Sequence, residues 1–356
     1  MRILIINPHQ FGYFAGYYHY CKYLSQKHLV DFVCVDQGLP KVAFNNINIF
    51  YTKGTRYLIN WRVPILFKIM TINLNKYNFI LVNYFKFVSL LRLVGIPHKA
   101  ILDIRTGYLS DNEFVRQFWN KIIKLESNFF KHMTILSESL RIELNLAANK
   151  CTVLPLGAEI LVKSSKHYDY PRILYVGTFY NRNIYHTIEA VALLNKKYPN
   201  LKIHYDIIGF GSQLEEEKIR KTIILKKTEN IIKFHGRKNY EELQPFFEKA
   251  NIGLSYIPIK KCFNCQPATK NIEYILSGLV CIATKTAGNK LLINEQNGIL
   301  CYDNPNSLFE AFEEFLEKRD QYESNKIRNT LIIYNWENIN NNTLEPLIQE
   351  FSKRIG

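Results

Sequence analysis

Lys270 and Glu273 are two side chains whose types and spacing suit chemistry on a phosphorylated ligand. They lie in Asn264-Cys-Gln-Pro-Ala-Thr-Lys-Asn-Ile-Glu-Tyr-Ile-Leu-Ser-Gly-Leu-Val-Cys-Ile-Ala-Thr284, where a proline turn precedes a helix start and a glycine follows the helix end, ahead of a buried strand. Three residues apart, ammonium and carboxylate share one helical face near the helix N-terminus. Free backbone N–H groups and the helix dipole favour phosphate oxygens there. Such a lysine can hold a diphosphate while the carboxylate accepts hydrogen bonds from ribose hydroxyls. The spacing equally allows the two to pair with each other on a solvated surface.

Other residues invite a weaker reading. Asp103 and Arg105, in Ala100-Ile-Leu-Asp-Ile-Arg-Thr106, leave the carboxyl end of an apolar strand, which is where ligands bind in parallel sheets. A carboxylate there can orient or deprotonate a hydroxyl, and a structural Asp-Arg pair is the alternative. Gly12-Tyr-Phe-Ala-Gly16 permits close backbone approach, but it is not a full Gly-x-Gly-x-x-Gly and no acidic ribose ligand follows at the right place. A dehydrogenase loses support on that ground. Cys262-Phe-Asn-Cys265 has CxxC spacing without a second pair at zinc spacing or thioredoxin-like flanks, so neither metal nor redox use is expected of it. His235 stands alone, and a lone histidine rarely marks chemistry by itself.

The elements that must position these residues read as an α/β chain of two domains, which 356 residues comfortably allow. Arg2-Ile-Leu-Ile-Ile-Asn-Pro8 is a strand buried on both faces, followed by glycine-punctuated helix to Leu24 and a second strand over Val30 to Val35. Apolar runs at Phe79 to Val82, Ala100 to Leu102 and Met133 to Leu136 continue a doubly wound parallel sheet. Val162 to Tyr170 is polar and without periodicity, and predicts the interdomain linker. The pattern then restarts with a strand at Arg172 to Gly177, a helix over Thr187 to Leu194, and a strand from Lys202 to Ile208. The expected domains are 1–160, 161–335 and a terminal helix over 336–356, with the asparagine cluster Asn338 to Asn342 as a loop.

With these residues in view the sequence resembles glycosyltransferase family 4, whose Lys-containing subgroup carries Pro-x-x-Lys-x-x-Glu-Tyr-x-x-x-Gly at the sugar-nucleotide site. Pro267, Lys270, Glu273, Tyr274, Gly278, Ala283 and Thr284 match that pattern, while Cys265 stands where the Glu-x7-Glu form has its first glutamate. The resemblance implies the GT-B fold: two Rossmann-like domains facing across a cleft, with a C-terminal helix, opened by Trp336, crossing back to the N-terminal domain. It further implies a retaining, metal-independent transferase without a cofactor. The substrate would be a nucleoside-diphosphate sugar, a UDP-sugar first, and the acceptor a saccharide or lipid-linked saccharide; the basic first domain suggests an acceptor at a membrane, such as a lipid-linked saccharide of bacterial surface-polysaccharide assembly. By the same resemblance Gly177 opens the nucleotide loop and Arg182 reaches the diphosphate with Lys270. Glu273 holds ribose beside Asn271, His235, Gly236 and Arg237 lie near the base, and Gly12 and Gly16 lie near donor phosphates and acceptor. Asp103 and Arg105 fall on the acceptor side, and Ser137-Glu138 at the interdomain face.

Charge adds a partner class. Residues 1–155 hold 19 Lys and Arg against eight Asp and Glu, so most of the +15 net charge is N-terminal. A basic face suits anionic lipid or nucleic acid on charge alone, and a solvated basic surface is the plainer account. Tyr57 to Leu74, with Trp61, Arg62, Phe67 and Lys68, is the segment expected to dock on an anionic membrane or else to pack on the sheet. Seven scattered cysteines predict a reducing cytoplasm, at most on the inner face of the cell membrane, and nucleic acid is not an expected partner. A GT-B sugar-nucleotide epimerase and a non-catalytic basic binding module are the rival readings.

Overall fold

Short runs rich in Ile, Val and Leu form most of the strands here, and amphipathic stretches between them form the helices. The structure, a computed structural model, describes residues 1–53, 63–96, 100–264 and 267–355. Two units emerge, Met1–Gly157 with Trp336–Gly356, and Ala158–Asn335.

The first unit is a seven-stranded sheet, every pairing parallel, in the order β3-β2-β1-β4-β5-β6-β7. Its strands are β1 (Arg2–Ile6), β2 (Leu29–Asp36), β3 (Ile47–Lys53), β4 (Phe79–Asn83), β5 (Ala100–Ile104), β6 (His132–Ile135) and β7 (Cys151–Val153), with helices α1 (Ala15–Leu24), α2 (Val63–Met70), α3 (Glu113–Ser127) and α4 (Glu138–Glu143) between them. Successive residues of β1 feed opposite faces: Leu4 and Ile6 join one hydrophobic core, Ile3 and Ile5 the other. The second core is closed by the chain's last segment. Trp336 opens α13 (Trp336–Ile339), stacks on His19 with ring centroids 5.2 Å apart, and lies over Gly16 and Gly157.

The asparagine cluster is helical and not a loop. A π turn over Asn340–Leu344 carries α13 into a final helix, Glu345–Ile355. Ile339 and Leu344 are fixed in the core on either side, and that packing overrides the poor helix propensity of asparagine. His28 Nε2, from the turn before β2, pairs with Glu345 of this final helix at 2.9 Å.

The second unit is a six-stranded parallel sheet in the order β10-β9-β8-β11-β12-β13. The strands are β8 (Arg172–Thr178), β9 (His204–Phe210), β10 (Ile232–Gly236), β11 (Ile252–Ser255), β12 (Val280–Thr284) and β13 (Gly298–Cys301). Around them run α5 (Tyr185–Lys197), α6 (Gln213–Leu225), α7 (Gln244–Lys249), α8 (Lys261–Asn264), α9 (Thr269–Leu276), α10 (Ala287–Lys290), α11 (Pro305–Lys318) and α12 (Ser324–Thr330). β9 lies to one side of β8 and β11 to the other, so the chain reverses direction across the sheet beside β8.

The segment predicted as a linker belongs to this unit. Tyr168 is buried and donates its hydroxyl to the Gly278 carbonyl at 2.7 Å, and Lys166 caps the end of α7 through the Phe247 and Glu248 carbonyls at 2.5 and 2.9 Å. The units therefore divide at Gly157 and Ala158, ahead of Val162 to Tyr170. Of the segment expected to dock on a membrane, 57–62 with Trp61 and Arg62 lies outside the described residues, and α2 buries Ile65 and Ile69 while exposing Phe67. No helix among the described residues is long and apolar enough to cross a membrane.

Candidate functional site

α9 begins two residues after Pro267 and ends ahead of Gly278, whose φ of +77° reverses the chain into β12. Its buried face includes Ile272, Tyr274, Ile275 and Leu276. Tyr274 fixes its height, because the Val176 N–H of β8 donates to the Tyr274 hydroxyl at 2.8 Å. Gly253 of β11 makes room: a Cβ there would fall 2.1 Å from Tyr274 Cγ.

This packing brings Lys270 to the carboxyl end of β8. Its Nζ lies 3.9 Å from the centroid of the Tyr175 ring. Gly177 has a φ of +148°, and a Cβ on it would come within 2.9 Å of Nζ, so a side chain here would both strain the backbone and displace the ammonium. Arg182 arrives on the loop after β8, held by its N–H to the Phe179 carbonyl at 3.0 Å, with Cζ 4.1 Å over the Phe263 ring.

Lys270 and Glu273 do not form the surface pair that their spacing allowed. Both are half-buried, and among the described residues neither side chain has a hydrogen bond or ion pair. Lys270 instead rests on the face of an aromatic ring, an attraction worth about 0.5–2 kcal/mol. Burial, with the Arg182 charge adding to it, lowers the Lys270 ammonium to about 7. Burial also raises the Glu273 carboxyl to about 7, against the pull of Lys270. Two cations, the first turn of an eight-residue helix and an acid with free lone pairs thus meet at the point where the strand order reverses. That arrangement can bind a diphosphate and, beside it, a pair of hydroxyls.

The other expected donor residues are placed differently. Asn271 is buried and donates its amide to Asn289 Oδ1 at 2.8 Å, and Asn289 donates to the Thr284 carbonyl. This chain ties α9 to the end of β12, so the Asn271 amide holds the helix and not a ligand. His235, on β10, has its Nε2 2.6 Å from Asp206 Oδ1, while His204 Nε2 takes the other oxygen at 2.9 Å. Burial would raise the Asp206 carboxyl, but its bonds to both histidines outweigh this and lower it. Gly236 ends β10 with open space around it, and Arg237 is exposed with Cζ 4.7 Å over Phe210.

In the first unit, Asp103 and Arg105 are enclosed and are not presented to an acceptor. Asp103 has no exposed surface and accepts from Tyr17 at 2.7 Å and Thr134 at 2.8 Å, with Arg105 Nη1 3.5 Å away. Arg105 donates onward to the carbonyls of Leu154 and Pro155. Both oxygens of the acid are occupied, which leaves it no lone pair aimed at solvent for a substrate proton. Gly12 turns the chain after β1 with φ +91°, and Gly16 is buried in α1. Ser137 caps α4 by accepting the Leu140 N–H, and Glu138 pairs with Arg141. Cys265 lies outside the described residues.

Tyr175 and Phe263, the rings beneath Lys270 and Arg182, escaped sequence reasoning. Tyr175 had a signal: it shares a strand face with Gly177 two residues on, at the end of a run otherwise aliphatic.

The family model of glycosyl transferases group 1 matches residues 170–318, a span that takes in Gly177, Arg182, His235, Lys270 and Glu273. No curated protein matches the chain. Among solved structures, sucrose-phosphate synthase from Thermosynechococcus elongatus is similar with a TM-score of 0.75 at 16% identity, over 99% of this chain and 100% of that one. HepE of Anabaena in complex with UDP-glucose gives 0.70 at 16%, over 98% and 100%. The lipopolysaccharide outer core galactosyltransferase WaaB gives 0.71 at 12%, over 98% and 100%. At such identities the likeness shows the fold, and it is GT-B, with two Rossmann-like units and a terminal helix returning to the first. The family match supports glycosyl transfer as the class of activity.

Proposed function

We propose that this protein is a retaining, metal-independent glycosyltransferase that moves a sugar from a UDP-sugar to a hydroxyl of a saccharide or lipid-linked saccharide. It acts in bacterial surface-polysaccharide synthesis, on the cytoplasmic face of the membrane. The observation that carries the reading is the Lys270 ammonium, lodged against Gly177 and Tyr175 at the end of β8 with no carboxylate bonded to it. Holding a half-buried cation without a bonded carboxylate costs free energy, and a diphosphate offsets that cost. Lys270 and Arg182 stabilise the charge that grows on the departing nucleoside diphosphate, a task that a metal performs in other sites. Glu273 accepts from ribose hydroxyls. The acceptor hydroxyl then attacks on the face that the diphosphate vacates, which retains the configuration. Two likenesses point to the donor and the setting: HepE was solved with UDP-glucose, and WaaB is an outer core galactosyltransferase.

The test is thermal unfolding of the purified chain in EDTA with UDP, GDP, ADP, CMP and a set of UDP-sugars, repeated on Lys270→Ala and Glu273→Ala. One nucleoside diphosphate should raise the midpoint of the wild type, and both variants should lose the rise. Were no nucleotide to move the wild type, the donor site would be misplaced and the transferase reading would fall.

A further inference from the structure

α3 is apolar on the face that folding does not use. Asn120, Ile123, Glu126 and Ser127 form the face turned to the unit. On the opposite side Phe114, Phe118 and Leu125, with Phe129 just past the helix end, recur every four or seven residues and are exposed, Phe114 by 85%. The neighbouring 3-10 segment Val88–Val94 extends this surface with Leu90 and Leu93, the latter 83% exposed. Glu126 holds the two together, accepting from Ser89 at 3.0 Å, and Arg92 Cζ lies 5.5 Å over the Phe129 ring. Nothing in the packing of this unit requires these rings to face water.

The charge around the stripe is mainly positive. Lys121, Lys124, Lys131 and Arg92 flank it. Of the four acids between residues 86 and 131, Asp103 and Glu126 are buried in hydrogen bonds, Glu113 is tied to Arg116 and Gln117, and Asp111 is exposed just ahead of α3. We propose that α3 and Val88–Val94 form a docking surface for an anionic lipid bilayer, with the phenylalanines and leucines in the acyl boundary and the lysines among the headgroups. A second copy of the chain would set the same lysines and arginine against one another, and a nucleic acid would leave Leu90, Leu93 and Leu125 unused. The assignment supplies the membrane side of the proposed function, yet it needs no donor chemistry and is tested without any.

Sedimentation of the full chain with vesicles decides it. The wild type should pellet with phosphatidylcholine vesicles containing about 30% phosphatidylglycerol and not with phosphatidylcholine alone, and raising the salt from about 0.1 M to about 1 M should weaken binding. Lys121→Gln and Lys124→Gln should each weaken partition about fivefold, and Phe118→Ser with Leu125→Ser about tenfold or more. All these positions face solvent or its edge, so unchanged unfolding midpoints show that the fold is intact. The proposal is overturned if the wild type ignores anionic vesicles, if both sets of variants pellet as it does, or if a mixed-sequence RNA competes the protein off the vesicles.

Discussion

At the carboxyl end of β5 in one unit and of β8 in the other, an acid and a base are gathered within a few residues, and the two places are finished in opposite ways. Asp103 is closed off: Tyr17, Thr134 and Arg105 surround it, and Arg105 carries the network on to the chain leaving β7. At the end of β8, Lys270 and Glu273 stay unbonded, and burial shifts both to about 7. A satisfied buried network fixes a chain in place, whereas an unsatisfied one holds capacity for something not yet bound. The same residue types are satisfied in the first unit and left unbonded in the second, and the difference lies in the hydroxyl and carbonyl partners supplied around them.

The largest effect should come from the closed side. Asp103→Ala leaves Arg105 buried beside an empty position and should cost about 3–5 kcal/mol in denaturant unfolding, with nucleotide affinity unchanged in the folded fraction. Lys270→Ala should do the reverse. Stability should hold or rise, while affinity for the nucleoside diphosphate measured by calorimetry falls about 100-fold, the worth of one or two charge-assisted hydrogen bonds. Glu273→Gln, which keeps the shape and loses the charge, should weaken the nucleoside about tenfold and leave inorganic pyrophosphate binding unaltered. If Asp103→Ala lowers affinity as strongly as Lys270→Ala does, the contrast between the two strand ends is broken.

The sequence carried most of the architecture, because buried parallel strands read as continuous apolar runs and glycine marked the turn after β1 and the end of β8. It missed β3, where Ile47-Asn-Ile-Phe-Tyr-Thr-Lys53 mixes polar with apolar residues because the sheet covers this edge strand only in part. It misread 338–342, where tertiary packing outweighs local propensity, and 162–170, whose anchors Lys166 and Tyr168 pair with carbonyls some 80 to 110 residues away that no local pattern reveals. At the candidate site the spacing of Lys270 and Glu273 was legible, but whether they pair was not. That depends on Tyr274 and Gly253 setting the height of α9 above β8. Asp103 illustrates the limit most sharply, since a carboxylate at a strand end reads the same whether or not a tyrosine from α1 covers it.

The pH dependence should separate the two ends with the smallest perturbation. Below about 7 the Lys270 ammonium is charged in the free protein, and above that value it is neutral unless a ligand restores its proton. A bound diphosphate favours the charged form, so affinity for a UDP-sugar should fall as pH rises through about 7, by at most tenfold per unit, with proton uptake visible as a buffer-dependent heat. Glu273 works from the other side, because ribose hydroxyls need the carboxylate, and affinity should also fall as pH drops below about 7. The free protein should show the opposite curvature. Glu273 binds more protons folded than unfolded between its ordinary value of 4.5 and about 7, so its contribution to stability is lost as pH rises through that window. Lys270 binds fewer protons folded than unfolded between about 7 and 10.5, so stability rises with pH there. Relative to a Lys270→Met, Glu273→Gln double variant, the unliganded chain should be least stable near neutral pH, where UDP-sugar binding is tightest. Lys270→Arg should flatten only the alkaline limb of binding and Glu273→Gln only the acidic one. A profile that neither substitution changes would mean that the two groups are as fully satisfied as Asp103, and the β8 end would have to be regarded as a second structural network.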